Sequence, residues 1–362
     1  MDMVLKVYQK YLVKEFTVTT LKITLIFLIL ALVMGLLEEL NFFSDYDVEY
    51  FYPIYLVFLN IPSLIYEIFP FIFLLSSQFL FLRLLENGEL NTFKNNGLDN
   101  IKILSLITFL SFIIGLFIVI IFYNLSAVMK FEYLDIKKNF TRDNKYLATI
   151  TENGLWIKDE INDQINFVNA NRFTINSLNE VDIVQLNEKF EFQKNIKAEN
   201  VDIKKNNWKL FDVRIIDKDN NIKVLEEMNF LSNFNYEEIS NLFSNLASLT
   251  LWNLLELKKN YISINYSTTE IDYHLQRIVA YPFLITIITV LSAILMLNLN
   301  YRKPKIFFIV VGILLSVIIY YINFFFGALG KNEKIPLLVS IWTPIITLTI
   351  ISFIGMIRIN EK

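Results

Sequence analysis

The chain has 362 residues, of which 54% are hydrophobic and 19% charged, and it contains 33 phenylalanines. A soluble domain of this length seldom carries so much apolar side chain, so the composition predicts a membrane protein. The formal net charge of −3 is too small to indicate a nucleic-acid partner, and the absence of cysteine excludes disulfides, thiolate metal sites and a cysteine nucleophile.

The first two predicted elements are an interfacial helix and a membrane span. Residues 1–15 are predicted to form the helix, since Lys6, Lys10 and Lys14 recur every four residues on one face and favour the cytoplasmic side. The uncharged residues 23–37 are the predicted span. No small-residue cleavage site follows them, so we expect the span to be retained rather than removed as a signal peptide.

Five more apolar runs are long enough to cross a bilayer, which takes about 20 residues. Residues 51–82 are interrupted by prolines and Glu67 and predict one long span with an irregular outer end. Four further uncharged runs occupy residues 103–129, 278–301, 306–330 and 335–357. The sequence therefore predicts six spans, three on each side of a polar middle region.

The middle region, from residue 130 to about 260, favours β-strands because its apolar residues tend to alternate with polar ones. Strand-like stretches occupy residues 181–186, 190–192, 201–203 and 208–215, and turn signals occur at Asn153-Gly154, Asn206-Asn207 and residues 219–221. This pattern predicts an all-β insertion of sandwich or jelly-roll type. Residues 236–259 have helical spacing instead, and Lys258-Lys259 are predicted to end that helix.

The short loops predict the orientation, because cations accumulate on the cytoplasmic side. With both termini inside, the inside segments hold Lys6, Lys10, Lys14, Arg83, Lys94, Lys102, Arg302, Lys303, Lys305, Arg358 and Lys362. The short outside loops hold only Lys331 and Lys334. This asymmetry predicts cytoplasmic termini and a β insertion outside the cytoplasm.

The polar segment 83–97, between the second and third spans, is predicted to lie on the cytoplasmic side. Its charges, Glu86, Glu89 and Lys94, are compatible with a helix, and Gly97 is placed to stop one. We interpret the segment as a small surface helix across the ends of two spans. The alternative is a plain linker, which needs neither paired acids nor a helix-stop glycine.

The sequence contains no signature of catalysis. None of its glycines fits G-x-x-x-x-G-K-[ST] or G-x-G-x-x-G, so no phosphate-binding loop is present. The single histidine, His274, precedes the fourth span and lacks the partners of a metal site or catalytic triad, so we interpret it as a polar residue at a membrane boundary. We expect a non-enzymatic subunit that binds no metal or cofactor.

Two groups of residues are candidates for contact with a lipid: Glu38, Glu39 and Phe42 near the outer end of the first span, and Asn323, Phe324 and Phe326 in the fifth. For the acids, and for Glu67, placement at the interface costs little and is an equally good interpretation. For the fifth span, helix packing or ordinary lipid contact is favoured over a face that lines an acyl chain.

Several motifs together resemble the LptF/LptG (YjgP/YjgQ) family of lipopolysaccharide-export permeases. They follow one order along nearly the whole chain: Ile61-Pro62, Phe69-Pro70, Glu89-Leu90, Asn96-Gly97, Gly154-Leu-Trp-Ile-Lys-Asp159, Trp208-Lys-Leu210, Tyr281-Pro282, Phe326-Gly327, Ile335-Pro336 and Thr343-Pro344. The motif at residues 154–159 and the proline that enters the fourth span are more similar to LptG than to LptF.

The resemblance implies a multi-pass protein of the bacterial inner membrane in three parts. Residues 1–129 hold helices 1–3 and a cytosolic coupling helix at about 83–97, residues 130–265 a periplasmic β-jellyroll, and residues 266–362 helices 4–6. The resemblance also implies an LptF-like paralogue, two LptB-like ATPase subunits that bind ATP and Mg, an LptC-like periplasmic bridge protein, and lipopolysaccharide as cargo. The residues expected to contact the ATPase are Arg83, Glu86, Gly88, Glu89, Leu90, Phe93, Lys94 and Gly97.

One feature departs from the family. Members commonly carry Lys or Arg at the outer end of the first span, suited to lipid phosphates, whereas residues 36–43 contain Glu38 and Glu39 and no cation. Either the partner supplies the cations or the head group bears less phosphate. Two other function classes stay open: a non-transport scaffold whose β domain binds envelope proteins, and an ion channel or proton-coupled carrier, for which the spans offer mainly Glu67.

Overall fold

The structure is a computed structural model that describes residues 6–45, 48–49, 51–138, 140, 147–151, 154–161, 164–174, 176–187, 189–236, 239, 245–263, 267–298 and 305–360. The chain divides into two compact units, a helical unit of Met1–Lys130 with Tyr273–Lys362, and a β unit of Phe131–Asp272. The predicted basic loop at residues 301–304 and the charged Lys362 lie outside the described residues.

Among the described residues, six helical segments are long and apolar enough to cross a membrane, which confirms the predicted number of spans. The helices are α1 (Val7–Phe42), α2 (Phe51–Glu86), α3 (Glu89–Asn95), α4 (Asn100–Phe117), α5 (Tyr123–Lys138), α6 (Leu251–Ser263), α7 (Thr269–Leu297), α8 (Lys305–Lys331) and α9 (Leu337–Asn360). One π-helical turn, Ile118–Phe122, joins α4 to α5, so that these two helices form the third span. The short helix α3 is not a span and connects α2 to α4.

Two details of the predicted spans were wrong. Residues 1–5 of the predicted interfacial helix lie outside the described residues, and from Val7 onward this helix and the first span are one continuous helix, α1. Leu12 and Phe16 near its start are fully buried. The second span has no irregular end, since α2 is continuous from Phe51 although Pro62 and Pro70 lie inside it. Prolines are tolerated in membrane helices because local adjustment and neighbouring groups satisfy the freed carbonyls.

The helices of the membrane unit differ strongly in burial. In the most apolar stretch of each span, 56% of α2 and 72% of α7 is buried, against 17% of α1 and 11% of α8. Aromatic pairs join α1 to α2, among them Phe16–Phe73 with ring centroids 6.0 Å apart. The helices α2 and α7 therefore form the centre of the unit, whereas α1 and α8 lie at its periphery.

The described part of the β unit is built on one antiparallel sheet of seven strands, which confirms the predicted all-β insertion. The strands are β1 (Leu147–Thr151), β2 (Gly154–Ile161), β3 (Gln164–Thr174), β4 (Ser177–Asn187), β5 (Phe192–Asp202), β6 (Asn207–Asp217) and β7 (Ile222–Leu231). They pair in sequence order, so the described strands form a meander, the order that the sequence had left open. Side chains alternate between a buried and a solvent face, as along β4 and β6.

Polar contacts hold the end of the sheet against its beginning. After β7 the chain folds back onto β2, where the buried Asp159 carboxylate accepts hydrogen bonds from Ser232 Oγ at 2.8 Å and from Asn233 N at 3.1 Å. The indole Nε1 of the fully buried Trp208 donates to the carbonyl oxygen of Phe234 at 2.6 Å. Both residues belong to motifs quoted above, and their role here is to close the β unit.

The sequence predicted the presence of the strands and the helix more accurately than the residues at which they begin and end. Phe190 lies in a turn with φ of 60° and only Phe192 enters β5, so the predicted strand 190–192 is mostly turn. The helix α6 begins at Leu251 and continues past Lys258-Lys259 to Ser263. Asn153 and part of the predicted helical stretch, residues 237–238 and 240–244, lie outside the described residues.

Candidate coupling site

The segment between α2 and α4 has the compact form that its sequence predicts. Glycines with positive φ flank the helix α3, Gly88 at +69° and Gly97 at +80°. Residues other than glycine seldom adopt this backbone conformation. The amide of Gly97 donates to Lys94 O at 2.9 Å, and that of Leu98 to Phe93 O at 3.0 Å. This hydrogen-bond pattern is the usual glycine cap at the C-terminus of an α-helix. Helix α3 therefore ends here, and the chain turns directly into α4.

Glu89, at the start of α3, is bonded inside the chain. Its Oε2 accepts a hydrogen bond from the Tyr11 hydroxyl at 2.6 Å, and its Oε1 accepts one from Asn87 Nδ2 at 3.0 Å. The Tyr11 ring also approaches Phe93, with centroids 6.4 Å apart. We had expected Glu89 to face a partner protein, whereas here both of its oxygens have partners within the subunit.

A second contact ties the end of α2 to the same helix α1. Arg83 Nη1 lies 2.5 Å from Glu15 Oε2, and the Glu15 side chain is only 14% exposed. Tyr11 and Glu15 are four residues apart and share one face of α1. We call the pairs Tyr11–Glu89 and Glu15–Arg83 the α1 clamp, since together they fix the end of α2 and the start of α3 to the first span.

Some of the residues expected to contact an ATPase are buried within the subunit and others are exposed. Leu90 is buried, and Gly88, Glu89 and Phe93 are half-buried. Arg83, Glu86, Lys94 and Gly97 are exposed. Asn91 and Asn95, which the sequence did not single out, are exposed beside Lys94 on α3. The surface available to a partner is therefore polar: it includes Asn91, Lys94 and Asn95 on α3 and Arg83 and Glu86 at the end of α2.

The six lipid-contact candidates do not form one surface within this chain. Glu38 is exposed, Glu39 is 1% exposed and Phe42 is half-buried, while Phe324 is 63% exposed and Asn323 and Phe326 are half-buried. The Asn323 amide donates to Ile319 O of its own helix at 2.9 Å. The helices that carry the two groups, α1 and α8, do not pack extensively against each other in the described part of the chain.

His274 has a structural partner in the helical unit. Its Nε2 lies 3.0 Å from the Tyr123 hydroxyl, which links α7 to α5. Among the described residues, no group of three or more His, Asp or Glu could hold a metal ion. The observed contact of His274 is therefore a link between two helices, and its interpretation as a polar residue at a membrane boundary stays a prediction.

The polar triplet Ser76-Ser77-Gln78 in α2 was missed by the sequence reasoning. All three side chains are fully buried, and two of them bond to other helices: Ser77 Oγ donates to Thr289 O at 3.0 Å and Gln78 Nε2 to Phe308 O at 3.1 Å. Three consecutive polar residues inside an otherwise apolar run were the available signal, because buried polar groups in a span need a partner.

The spans, the inserted sheet and the clamped connection define a polytopic membrane protein whose large β insertion separates two groups of three spans. A family model described as lipopolysaccharide export system permease LptF/LptG matches residues 10–358, nearly the whole chain. The chain belongs to this family of permeases, which confirms the resemblance; its greater similarity to LptG stays a prediction. No curated protein matches the chain closely.

Proposed function

We propose that the chain is a permease subunit of an ABC-type exporter that extracts lipopolysaccharide from the bacterial inner membrane. Two LptB-like ATPases on the cytosolic side bind ATP and Mg and supply the energy, so this chain needs no cofactor of its own. An LptF-like paralogue completes the membrane part, and an LptC-like protein receives the lipid in the periplasm. Both termini are cytoplasmic and the β unit is periplasmic in this proposal, in keeping with the distribution of Lys and Arg.

The α1 clamp is the observation that carries the proposal. A passive loop between two spans would not need two polar contacts to a third helix, as Tyr11–Glu89 and Glu15–Arg83 provide here. A force applied to α3 by an ATPase is passed directly to α1 through these contacts. The exposed residues Asn91, Lys94 and Asn95 leave α3 a polar surface on which that ATPase can dock.

The positions of α1 and α8 support a cavity shared with a second membrane subunit. Most of both helices is not covered by this chain, and each carries one group of lipid-contact candidates. Because α1 and α8 do not pack extensively against each other here, a paralogue of the same layout is needed to bring one group against the other. Movement of α1 then changes the width of that cavity.

The edge of the sheet supports transfer to a periplasmic partner. Among the described strands, β7 pairs only with β6, and its Ile222 and Val224 side chains are 64% and 70% exposed. An unpaired edge of this kind accepts a strand from another protein. An LptC-like β protein that pairs with β7 would continue the sheet and extend the path of the lipid.

The test uses the whole chain, co-expressed with the paralogue and the ATPase. We expect Lys94→Glu to lower ATPase recovery about fivefold. An exposed charge contact that contributes about 0.5 kcal/mol becomes a repulsion of about the same size, and the total change of about 1 kcal/mol corresponds to that factor. Lys334→Glu is the matched control, an exposed lysine at the other end of the helical unit, on the α8–α9 connection. Equal recovery of both variants contradicts the docking surface, and purification of the unaltered chain without any ATPase supports the scaffold instead.

A further inference from the structure

Gln78 is a fully buried amide at the contact between α2 and α8. Its Nε2 donates to the carbonyl oxygen of Phe308 at 3.1 Å, while its Oε1 has no hydrogen-bond partner among the described residues. Gly312 makes room for this side chain, since a Cβ at that position would lie 1.8 Å from Gln78 Nε2. The amide therefore occupies a notch in α8 that only glycine provides. We call Gln78, Phe308 and Gly312 the Gln78 latch.

Burying an amide at this position costs free energy, because one of its polar atoms is left without a hydrogen-bond partner. Leucine has a similar size, fits an apolar environment and would leave no unpaired oxygen, so packing alone does not explain Gln78. A directional hydrogen bond offers what leucine cannot, because it fixes one register between two helices. The notch at Gly312 fixes the same register sterically, and the two constraints act together on α8.

Other polar contacts connect α2 to α7. Ser77 Oγ donates to Thr289 O at 3.0 Å, and in the opposite direction Ser292 Oγ donates to Leu74 O at 2.7 Å. These reciprocal bonds hold α2 and α7 as one block. The helix α8 is the least buried span, with 11% of its most apolar stretch covered, and the Gln78 latch joins it to that block by a hydrogen bond.

The latch is close to the coupling segment along a single helix. Gln78 and Glu86 both belong to α2, and their separation of eight residues corresponds to about 12 Å along the helix axis. The latch thus lies near the α1 clamp but acts on a different outer helix. A displacement of the coupling segment reaches α1 through Tyr11 and Glu15, and it reaches α8 through Gln78.

We propose that Gln78, seated against Gly312, is a positioning residue that makes α8 move with the coupling segment. The inference rests on the proposed function, because it assigns to α8 a movement driven from α3. Loss of the latch should leave the docking surface of α3 intact, so that the ATPase still binds and hydrolyses ATP. Without the latch, the movement is no longer passed to α8, the helix proposed to contact the lipid. The amount of lipid exported per ATP hydrolysed therefore falls.

The first test measures lipopolysaccharide released per ATP hydrolysed by the complete complex in proteoliposomes. Gln78→Leu is expected to keep ATPase recovery but to lower this ratio by at least about fivefold, the lower end of usual coupling factors. Ser111→Ala is the control, since it also removes a fully buried polar group, one bonded within its own helix at Ile107 O. A purely structural role would lower the amount of complex and leave the ratio unchanged, and an unchanged ratio overturns the proposal.

A second test examines the latch without export. Gly312→Ala should lower the thermal stability of the chain, because the new methyl group meets the Gln78 amide, and Gln78→Ala in the same chain should restore part of it. Equal effects of Gly312→Ala with and without Gln78→Ala would show that the two residues do not interact, and would overturn the latch. If the unaltered complex recovers no ATPase, the proposed function is wrong and the latch proposal falls with it; if it exports normally and so does Gln78→Leu, only the latch is wrong.

Discussion

Replacement of Tyr11 by phenylalanine isolates the contribution of the α1 clamp. The change removes the hydroxyl that donates to Glu89 at 2.6 Å and keeps the ring that lies 6.4 Å from Phe93. Asn87 still donates to the other carboxylate oxygen at 3.0 Å. The variant therefore loses one hydrogen bond to a charged group and little packing.

The size of the effect follows from the environment of that bond. Hydrogen bonds to charged groups contribute about 1.5–3 kcal/mol, and because Glu89 is only half-buried, water can partly replace the hydroxyl. We therefore expect a loss of about 1–2 kcal/mol, which is a factor of about 5–30 in the population of the unclamped state. Helix α3 has only seven residues and cannot persist alone, so release of the clamp exposes its amides.

Hydrogen exchange measured by mass spectrometry on the purified chain in nanodiscs reports that population. In Tyr11→Phe, the amides of α3 should exchange about 5–30 times faster than in the unaltered chain, if exchange follows local opening. Tyr8→Phe, one turn earlier in α1, is the matched control and should leave α3 unchanged. Equal exchange of α3 in Tyr11→Phe and the unaltered chain would refute the idea that this contact holds the coupling segment.

Three further substitutions test other parts of the account. Glu89→Lys replaces the acceptor of the Tyr11 bond by a cation, so we expect loss of ATPase co-purification or transport with normal membrane insertion; wild-type levels of both would exclude the coupling role. Gly97→Ala forces a side chain into φ of +80° and should destabilise the end of α3 by about 1 kcal/mol, seen as faster exchange of its last amides. Asp159→Ala leaves buried donors unpaired and should destabilise the β unit by about 2–4 kcal/mol, which limited proteolysis of the full chain would detect; unchanged cleavage would show that the Asp159 contacts contribute little.

The local features of the chain could be predicted from its sequence. Long uncharged runs give the spans, since burial in hydrocarbon depends on composition over about 20 residues. The stop at Gly97 was predicted because a glycine after a short polar helix favours the left-handed conformation observed there. The all-β character of the middle region followed from alternation, although the turn at Phe190, with its positive φ, left no such local signal.

The contacts between distant residues could not be predicted in this way. Tyr11 and Glu89 are 78 positions apart, and Gln78 and Phe308 are 230 apart, so no periodic pattern relates either pair. The consequence is largest for Glu89, whose position on α3 suggested contact with a partner protein, whereas its hydrogen bonds lie within the subunit. The sequence also placed Tyr11 in a separate interfacial helix, and only the continuity of α1 makes its contact relevant to a span.

Photocrosslinking of lipopolysaccharide to α1 and α8 tests the central claim, that movement of the clamped coupling segment acts on helices that contact the lipid. A photoreactive residue is placed at Phe42 or Phe324 in the reconstituted complex, with the 62% exposed Phe353 of α9 as the control position. The account predicts lipid adducts at Phe42 and Phe324 well above those at Phe353, and their decline when ATP is hydrolysed. Adducts no more frequent than at Phe353, or unaffected by ATP, would contradict it.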